Sequence, residues 1–548
     1  MVNPSTLAAR ELVGALGRLG VRHVVLCAGS RSAPLAYALH AAEVAGVLDL
    51  HVRHDERSAG FTALGVGRAG HVAAVVTTSG TAVANLHPAV LEAHHGGVPL
   101  LVLAADRPHP LRGTWANQTS DLQAHLFGTA TRFAADLAAD ADPAAWVGAL
   151  EQAVAAARGP DGARPGPAHL DLAFDDPLTP DDALPFPSSI PLVRDTPARR
   201  APGGHSVIEP GPRTVVVAGD GAGPRARQLA EDGGWPLLAE PTSGARGGRC
   251  AVAGYRLVVP HLAERVERVV VLGRPTLSRQ VTALLDRAEV DLVVVADHQE
   301  ETGPGRACRR VVGAVEAGTG PTDDAWLTAW QEAGSVARQV IDAVLDDEPL
   351  NGPLLAREVW GALRADERLV VAASNPVRDL DLAGHPDGRV RRVLANRGLS
   401  GIDGTMSTAV GVAVATGSPT RALVGDVAFL HDLGALTVPA SERGGLDLQV
   451  VVLDDDGGGI FALLEHGEPQ HASSFERVFG TPHGADLGAL AGGFGVPVVR
   501  VERPSELVGA LAAPPDGLSV VHVPVRRDGL RALHEHLRNG VARALSAT

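Results

Sequence analysis

The sequence predicts an α/β protein of three doubly wound parallel-sheet domains, on three observations. At 548 residues the chain is longer than one hydrophobic core usually serves. Short, nearly continuous apolar runs such as Val72–Val76, Leu100–Leu103 and Val450–Leu453 read as strands buried on both faces. These runs alternate with helical patterns, and the unusual polar residues follow the runs, at the carboxyl edge where ligands bind in such sheets.

The first domain is expected over residues 1–182. Ser5 reads as the cap of an amphipathic helix with Leu7, Leu12, Val13, Leu16 and Leu19 at helical spacing. A strand over 21–26 runs into Gly29-Ser30-Arg31-Ser32. The next, around Leu50–Arg53, ends in His54-Asp55-Glu56-Arg57 and enters a helix from Ser58 to Arg68. Val72–Val76 leads to Ser79-Gly80-Thr81 and a helix through Glu92, and Leu100–Leu103 leads to Asp106-Arg107-Pro108. A linker rich in Pro, Asp and Arg is expected from about Pro180 to Pro212. The central domain, 210–345, carries strands over 269–272 and 292–296. Its Gly219-Asp220-Gly221 mimics the Gly-Asp motif without an Asp or Asn pair about thirty residues on, Gly219 to Gly223 mimics half a dinucleotide fingerprint, and a structural role is expected for this domain. After the polar hinge Asp346-Asp347-Glu348, the third domain, 349–548, has strands over 369–373, 392–395, 420–424, 450–453 and 519–523. Asn396 through Gly404 opens a helix over Thr405–Ala415.

Composition excludes several classes. A net charge of −15 argues against nucleic acid or an anionic membrane as partner. No apolar run reaches the ~18 residues of a membrane span, and no signal-peptide layout opens the chain, so a cytoplasmic protein is expected. Cys27, Cys250 and Cys308 lack metal-ligand spacing and read as reduced thiols. The sequence contains no lysine. Schiff-base chemistry on a lysine and a Walker-type phosphate loop are therefore both excluded, and hard carbon chemistry would need another cofactor.

The stretch Leu423–Leu464 concentrates hard oxygen donors. One apolar run ends in Gly425-Asp426; the next ends in Asp454-Asp455-Asp456 followed by Gly457-Gly458-Gly459-Ile460-Phe461. Magnesium takes oxygen ligands and shares them with substrate phosphates, and glycines let backbone N–H groups approach phosphate. Glycine and aspartate are also ordinary turn residues at strand ends. A Gly-Asp followed some thirty residues later by an acidic or amide pair resembles the diphosphate motif of thiamine-diphosphate enzymes. Val427 and Asp454-Asp455 stand where that motif usually has glycine and an Asn pair. Glu56, between a strand and a helix, would by itself be a first-turn acid complementing the helix dipole.

Together, Gly29–Leu35, Asp55-Glu56-Arg57, Thr78–Leu86, Asp106-Arg107-Pro108, Ala116-Asn117-Gln118, Asn396–Gly404 and Gly458–Phe461 resemble, in order, the 2-succinyl-5-enolpyruvyl-6-hydroxy-3-cyclohexene-1-carboxylate synthase family of menaquinone biosynthesis. Ala28 and the triple Asp depart from its pattern. The resemblance implies decarboxylation of 2-oxoglutarate and conjugate addition of the succinyl carbanion to isochorismate, with thiamine diphosphate and Mg²⁺ (or Mn²⁺). It implies pyrimidine-binding, central and diphosphate-binding domains in that order. Glu56 would activate the cofactor, and Asp426, Asp455 and Gly457 would hold the metal. Ser374, Ile402, Gly425 and Ile460 would touch the cofactor. Ser30, Arg31, Arg107, Asn117, Gln118, Arg279, Arg378, Arg397, Phe461 and Leu464 would bind substrate; arginine suits bidentate carboxylate capture. A homodimer, or a dimer of such dimers, is implied. The nearest rival is another thiamine-diphosphate carboligase or decarboxylase, such as an acetohydroxyacid synthase. A flavin- or nicotinamide-binding protein is the rival from another class.

Overall fold

A computed structural model describes residues 3–181, 205–298, 303, 308–320, 323–389 and 391–547. Most of the expected 180–212 linker lies outside these residues. Chain contacts divide the molecule into two units. One comprises Met1–Arg199, Asn396–Ser418 and His431–Asp447; the other comprises Arg200–Ala395, Pro419–Leu430 and Leu448–Thr548.

The first unit is built on six parallel strands: β1 (His23–Cys27), β2 (Asp49–Arg53), β3 (Ala73–Thr77), β4 (Leu100–Asp106), β5 (Phe133–Leu137) and β6 (Pro167–Ala173), in the order β2-β1-β3-β4-β6-β5. Alternation explains the unbroken apolar runs. Val24 and Leu26 join the core under the Pro4–Arg18 and Pro143–Arg158 helices, whereas Val25 and Cys27 face the Glu56–Arg68 and His87–Gly96 helices. The Thr405–Thr416 helix crosses the Glu56–Arg68 helix at backbone contact distance. A Cβ on Gly411 would fall 2.0 Å from the Thr62 carbonyl oxygen, and one on Gly65 2.1 Å from that of Thr408.

In the second unit, β7 (His205–Ile208) pairs with β13 (Ala314–Ala317). The central sheet is β8 (Thr214–Ala218), β9 (Leu237–Ala239), β10 (Arg268–Leu272), β11 (Asp291–Ala296) and β12 (Arg309–Val312), ordered β12-β11-β10-β8-β9. The last sheet is β14 (Arg368–Val371), β15 (Arg392–Leu394), β16 (Thr420–Gly425), β17 (Leu448–Asp454), β18 (Val498–Arg500) and β19 (Leu518–Pro524), ordered β15-β14-β16-β17-β19-β18. One apolar core joins Val215, Val217 and Trp330 to Leu369, Val451 and Val521.

Several local expectations are corrected. Asn3, not Ser5, caps the first helix, accepting from Thr6 N–H at 2.8 Å, because Pro4 already occupies the first turn; Ser5 instead donates to the Asp175 carbonyl. The second expected helix begins at Glu56, capped by Asp55. The helix expected from Thr81 through Glu92 is two, Thr81–Ala84 and His87–Gly96. Pro88 lacks an N–H and disfavours helical geometry before it. β7 occupies the end of the expected linker. Among the described residues no helix is long and apolar enough to cross a membrane, and Cys27, Cys250 and Cys308 are free.

Candidate active site

The acidic cluster of the second unit sits at the carboxyl ends of β16 and β17. Asp426, buried, accepts the Gly457 N–H at 2.7 Å on Oδ2 and its neighbour Val427 N–H at 2.6 Å on Oδ1. His483 Nε2 lies 3.1 Å from Asp426 Oδ2 and 3.8 Å from Asp454 Oδ1. Donor atoms of Asp426, Asp454 and His483 all lie within 4.8 Å of one another, a grouping that could hold a metal ion. His522 Nε2 meets Asp454 at 2.7 Å; burial raises Asp454, but this bond, the Asp456 N–H and the charges of His522 and His483 together hold it below the usual carboxylate range. Burial pushes Asp426 upward. Burial and the Asp426 charge push Asp455 up to about 7.

The glycines here are required by close approach. Gly457 has φ of 129°, and a Cβ on it would fall 2.0 Å from the Gly480 carbonyl oxygen. Ile460 and Phe461 lie in the short Gly459–Ala462 helix, with the Phe461 ring 5.5 Å from Phe479; Leu464 follows, half-buried. Gly425 ends β16. Ser374, at φ of 70°, precedes the Asn375–Ala383 helix, and its carbonyl accepts from Arg378 at 2.8 Å. A cavity of about 580 Å³ is lined by Asn375, Asp379, Leu453, Asp455 and Arg527, and the buried Asn375 Oδ1 has no hydrogen-bond donor among the described residues. Arg279 is exposed and paired with Glu465 at 2.7 Å.

In the first unit Glu56 is the first residue of its helix. It is half-buried, with Asn85 Nδ2 at 3.4 Å from Oε2. Ser58 and Ser407 both donate to the buried Asp432, at 3.3 and 2.8 Å, tying the Glu56 helix to the Thr405–Thr416 helix. Arg107 is held by Asn117 through Nε to the carbonyl (2.7 Å) and Nη2 to Oδ1 (2.5 Å). Gln118, exposed at φ of 53°, abuts Gly80. Arg31 is buried and donates to the Phe174 carbonyl at 2.8 Å. Burial, then the nearby Arg107 charge, lowers its pKa, a setting that favours an anion beside the two cations. Ser30 is exposed beside it. Arg397 is buried in a loop fastened by Glu92, which accepts the Gly398 and Leu399 N–H groups at 2.6 and 2.7 Å; Ile402 follows, half-buried.

The predicted residues therefore divide between the two units. Arg279, in the second unit, stands apart in a surface pair. Sequence reasoning singled out Asp455 and Gly457 as companions of Asp426; the tightest donor group instead adds Asp454 and His483. His483, His522, Glu92 and Asp432 were missed. His483 sits in an aperiodic loop and carried no signal in the sequence.

Two family models of known proteins match the chain. A family described as "Thiamine pyrophosphate enzyme, N-terminal TPP binding domain" matches residues 7–126, and the corresponding C-terminal TPP binding domain matches 384–523. The chain is 52% identical to a protein of Kineococcus radiotolerans, over the full length of both. It is 49% identical to one of Renibacterium salmoninarum, over 98% of each chain, and 48% identical to one of a Nocardioides species, over 97% of each. All three relatives bear the name 2-succinyl-5-enolpyruvyl-6-hydroxy-3-cyclohexene-1-carboxylate synthase.

Proposed function

From the premise that this chain belongs to the 2-succinyl-5-enolpyruvyl-6-hydroxy-3-cyclohexene-1-carboxylate synthase family of thiamine-diphosphate enzymes, we propose that its two polar clusters serve the two ends of one cofactor, with 2-oxoglutarate and isochorismate as substrates. The buried Asp426 with the half-buried Asp455, whose carboxyl its charge helps push up, beside a glycine cradle is the observation that carries the reading. This donor set fits Mg²⁺, with Mn²⁺ as the alternative ion, and a diphosphate: hard oxygens, one glycine-rich turn and room for bound water. Asp426, Asp455 and the Gly457 carbonyl would hold the metal, and Ser374, Gly425 and Ile460 would line the cofactor. Asp454 and His483 form a second ligand reading, favoured by their proximity to Asp426.

Thiamine diphosphate, when bound, supplies the electron sink that a carbanion left by loss of CO₂ requires. Glu56 holds a proton against the aminopyrimidine ring, and its half-buried place at a helix start leaves that carboxyl accessible. Arg31, Arg107, Arg378 and Arg397 pair with substrate carboxylates; Ser30, Asn117 and Gln118 orient them. Ile402, Phe461 and Leu464 exclude water from the reacting carbons. Arg279, exposed and paired with Glu465, joins them only by exchanging that partner for a carboxylate. One cofactor needs both Glu56 and the acidic cluster, and two copies of the chain supply them. The test is mass spectrometry of gently purified protein together with turnover of 2-oxoglutarate plus isochorismate. Bound thiamine diphosphate and isochorismate-dependent CO₂ release are expected; a bound flavin, or CO₂ release indifferent to isochorismate, would overturn the reading.

A further inference from the structure

The loop after β4 carries Arg107, Asn117 and Gln118, and one residue outside that set is tied to more carboxylates than any of them. Arg112 donates through Nε to Asp106 Oδ2 at 2.9 Å. It also donates through Nη1 and Nη2 to Asp136 at 2.5 and 2.8 Å, and through Nη2 to Asp171 Oδ2 at 2.9 Å. Asp106 and Asp171 are fully buried at the ends of β4 and β6, and Asp136 belongs to β5. One guanidinium thus fastens the loop to three strands.

Each carboxylate passes the restraint on. Asp106 Oδ1 accepts the Arg107 N–H at 2.7 Å, so the group that holds Arg112 also sets the backbone of Arg107. Asp171 Oδ1 accepts from Gln123 Nε2 at 2.7 Å, and Gln123 Oε1 in turn accepts the Gly80 N–H at 2.7 Å. Gly80 at φ of 76° is the surface on which Gln118 rests. His109 Nε2 adds a contact to Asp136 at 2.9 Å. Burial drives Asp171 up to about 7 and Asp106 upward, and Arg112 works against that rise together with Gln123 at Asp171 and the Arg107 N–H at Asp106.

We propose that Arg112 is a positioning residue for substrate recognition: by clamping Asp106, Asp136 and Asp171 it fixes Arg107, Asn117 and Gln118 at the spacing that an anionic substrate requires. This rests on the reading above that Arg107 and its neighbours bind substrate. Lysine could hold one carboxylate but not the planar set of three.

The experiment compares Arg112→Ala, Arg112→Lys and, as the control on the underlying reading, Arg107→Ala. Misplacing a binding group by an ångström costs up to roughly a hundredfold, so Arg112→Ala is expected to raise KM by about tenfold or more, with kcat within about threefold and cofactor affinity within about twofold. Hydrogen exchange should quicken over residues 106–126 and not in the Glu56–Arg68 helix, and Arg112→Lys should recover part of the lost KM. KM within about twofold of the parent, or a raised KM accompanied by matching losses of kcat, cofactor affinity and Tm, would overturn the proposal. If Arg107→Ala raises KM and Arg112→Ala does not, the proposal alone falls; if Arg107→Ala changes nothing, both fall. Should Arg112→Ala not fold, Asp171→Asn, which keeps the shape and loses the charge, is read in the same way.

Discussion

The first and last sheets share one strand order, second-first-third-fourth-sixth-fifth, and carry opposite chemistry on the same edge. After the second strand the first sheet places Glu56 and the last places Arg397. After the third strand stand Ser79-Gly80 and Gly425-Asp426. After the fourth, the first sheet has Asp106-Arg107 and the last has three successive aspartates, Asp454 to Asp456. The first edge thus offers Arg107 and the half-buried Glu56, the last a run of carboxylates. Topology decides where a side chain can be offered to a ligand; the residue at the strand end decides what is offered. The helices that follow the second strands, Glu56–Arg68 and Thr405–Thr416, pack against each other with Asp432 between them.

The largest test of this contrast is Glu56→Gln, which removes the one acid assigned to proton work. Turnover should fall by about 10²- to 10⁴-fold with Tm and cofactor binding retained. Hydrogen–deuterium exchange at the thiazolium carbon as fast as in the parent would take the role away from Glu56. Mixing Glu56→Gln with Asp426→Ala sharpens the point. If two chains share each site, random pairing leaves one site intact in every mixed dimer, and about a quarter of parental activity should return. No recovery despite confirmed subunit exchange would place each site within one chain.

At the acidic edge, Asp426→Ala and Asp455→Ala should weaken Mg²⁺ and thiamine diphosphate together, by about 10- to 100-fold, because an ion held by these carboxylates would help hold the diphosphate. Calorimetry of Asp454→Ala decides between the two ligand sets: a loss equal to that of Asp455→Ala moves the second ligand to Asp454. Arg107→Ala and Arg397→Ala should raise substrate KM more than they disturb the cofactor, at a cost of about 2–5 kcal/mol for a desolvated carboxylate pair. Both variants staying near parental kcat/KM would return these arginines to a structural role. The smallest effect tests the helix crossing. Gly411→Ala puts a methyl against the Thr62 carbonyl and should cost about 1–3 kcal/mol of stability in denaturant unfolding. An unchanged midpoint would mean that the two helices can move apart freely.

By itself the sequence determined the α/β class, most strands and nearly all the strand-end chemistry. Buried parallel strands need unbroken apolar runs, and the residue types at their ends follow directly along the chain. Thus Glu56, Arg107, Asp426 and Gly457 were legible, as was the absence of any lysine. The sequence could not show the pairing of distant loops. Glu92 fastens Gly398 from some three hundred positions away, Arg112 gathers aspartates from three strands, and His483 reaches Asp426 from an aperiodic loop. Weak strands were hidden too: β5 alternates exposed with half-buried residues, and β9 and β18 are three residues each, too short for a period to register. Only the folded sheet order brings such groups within hydrogen-bonding distance, because each bond depends on where another segment's backbone has come to rest.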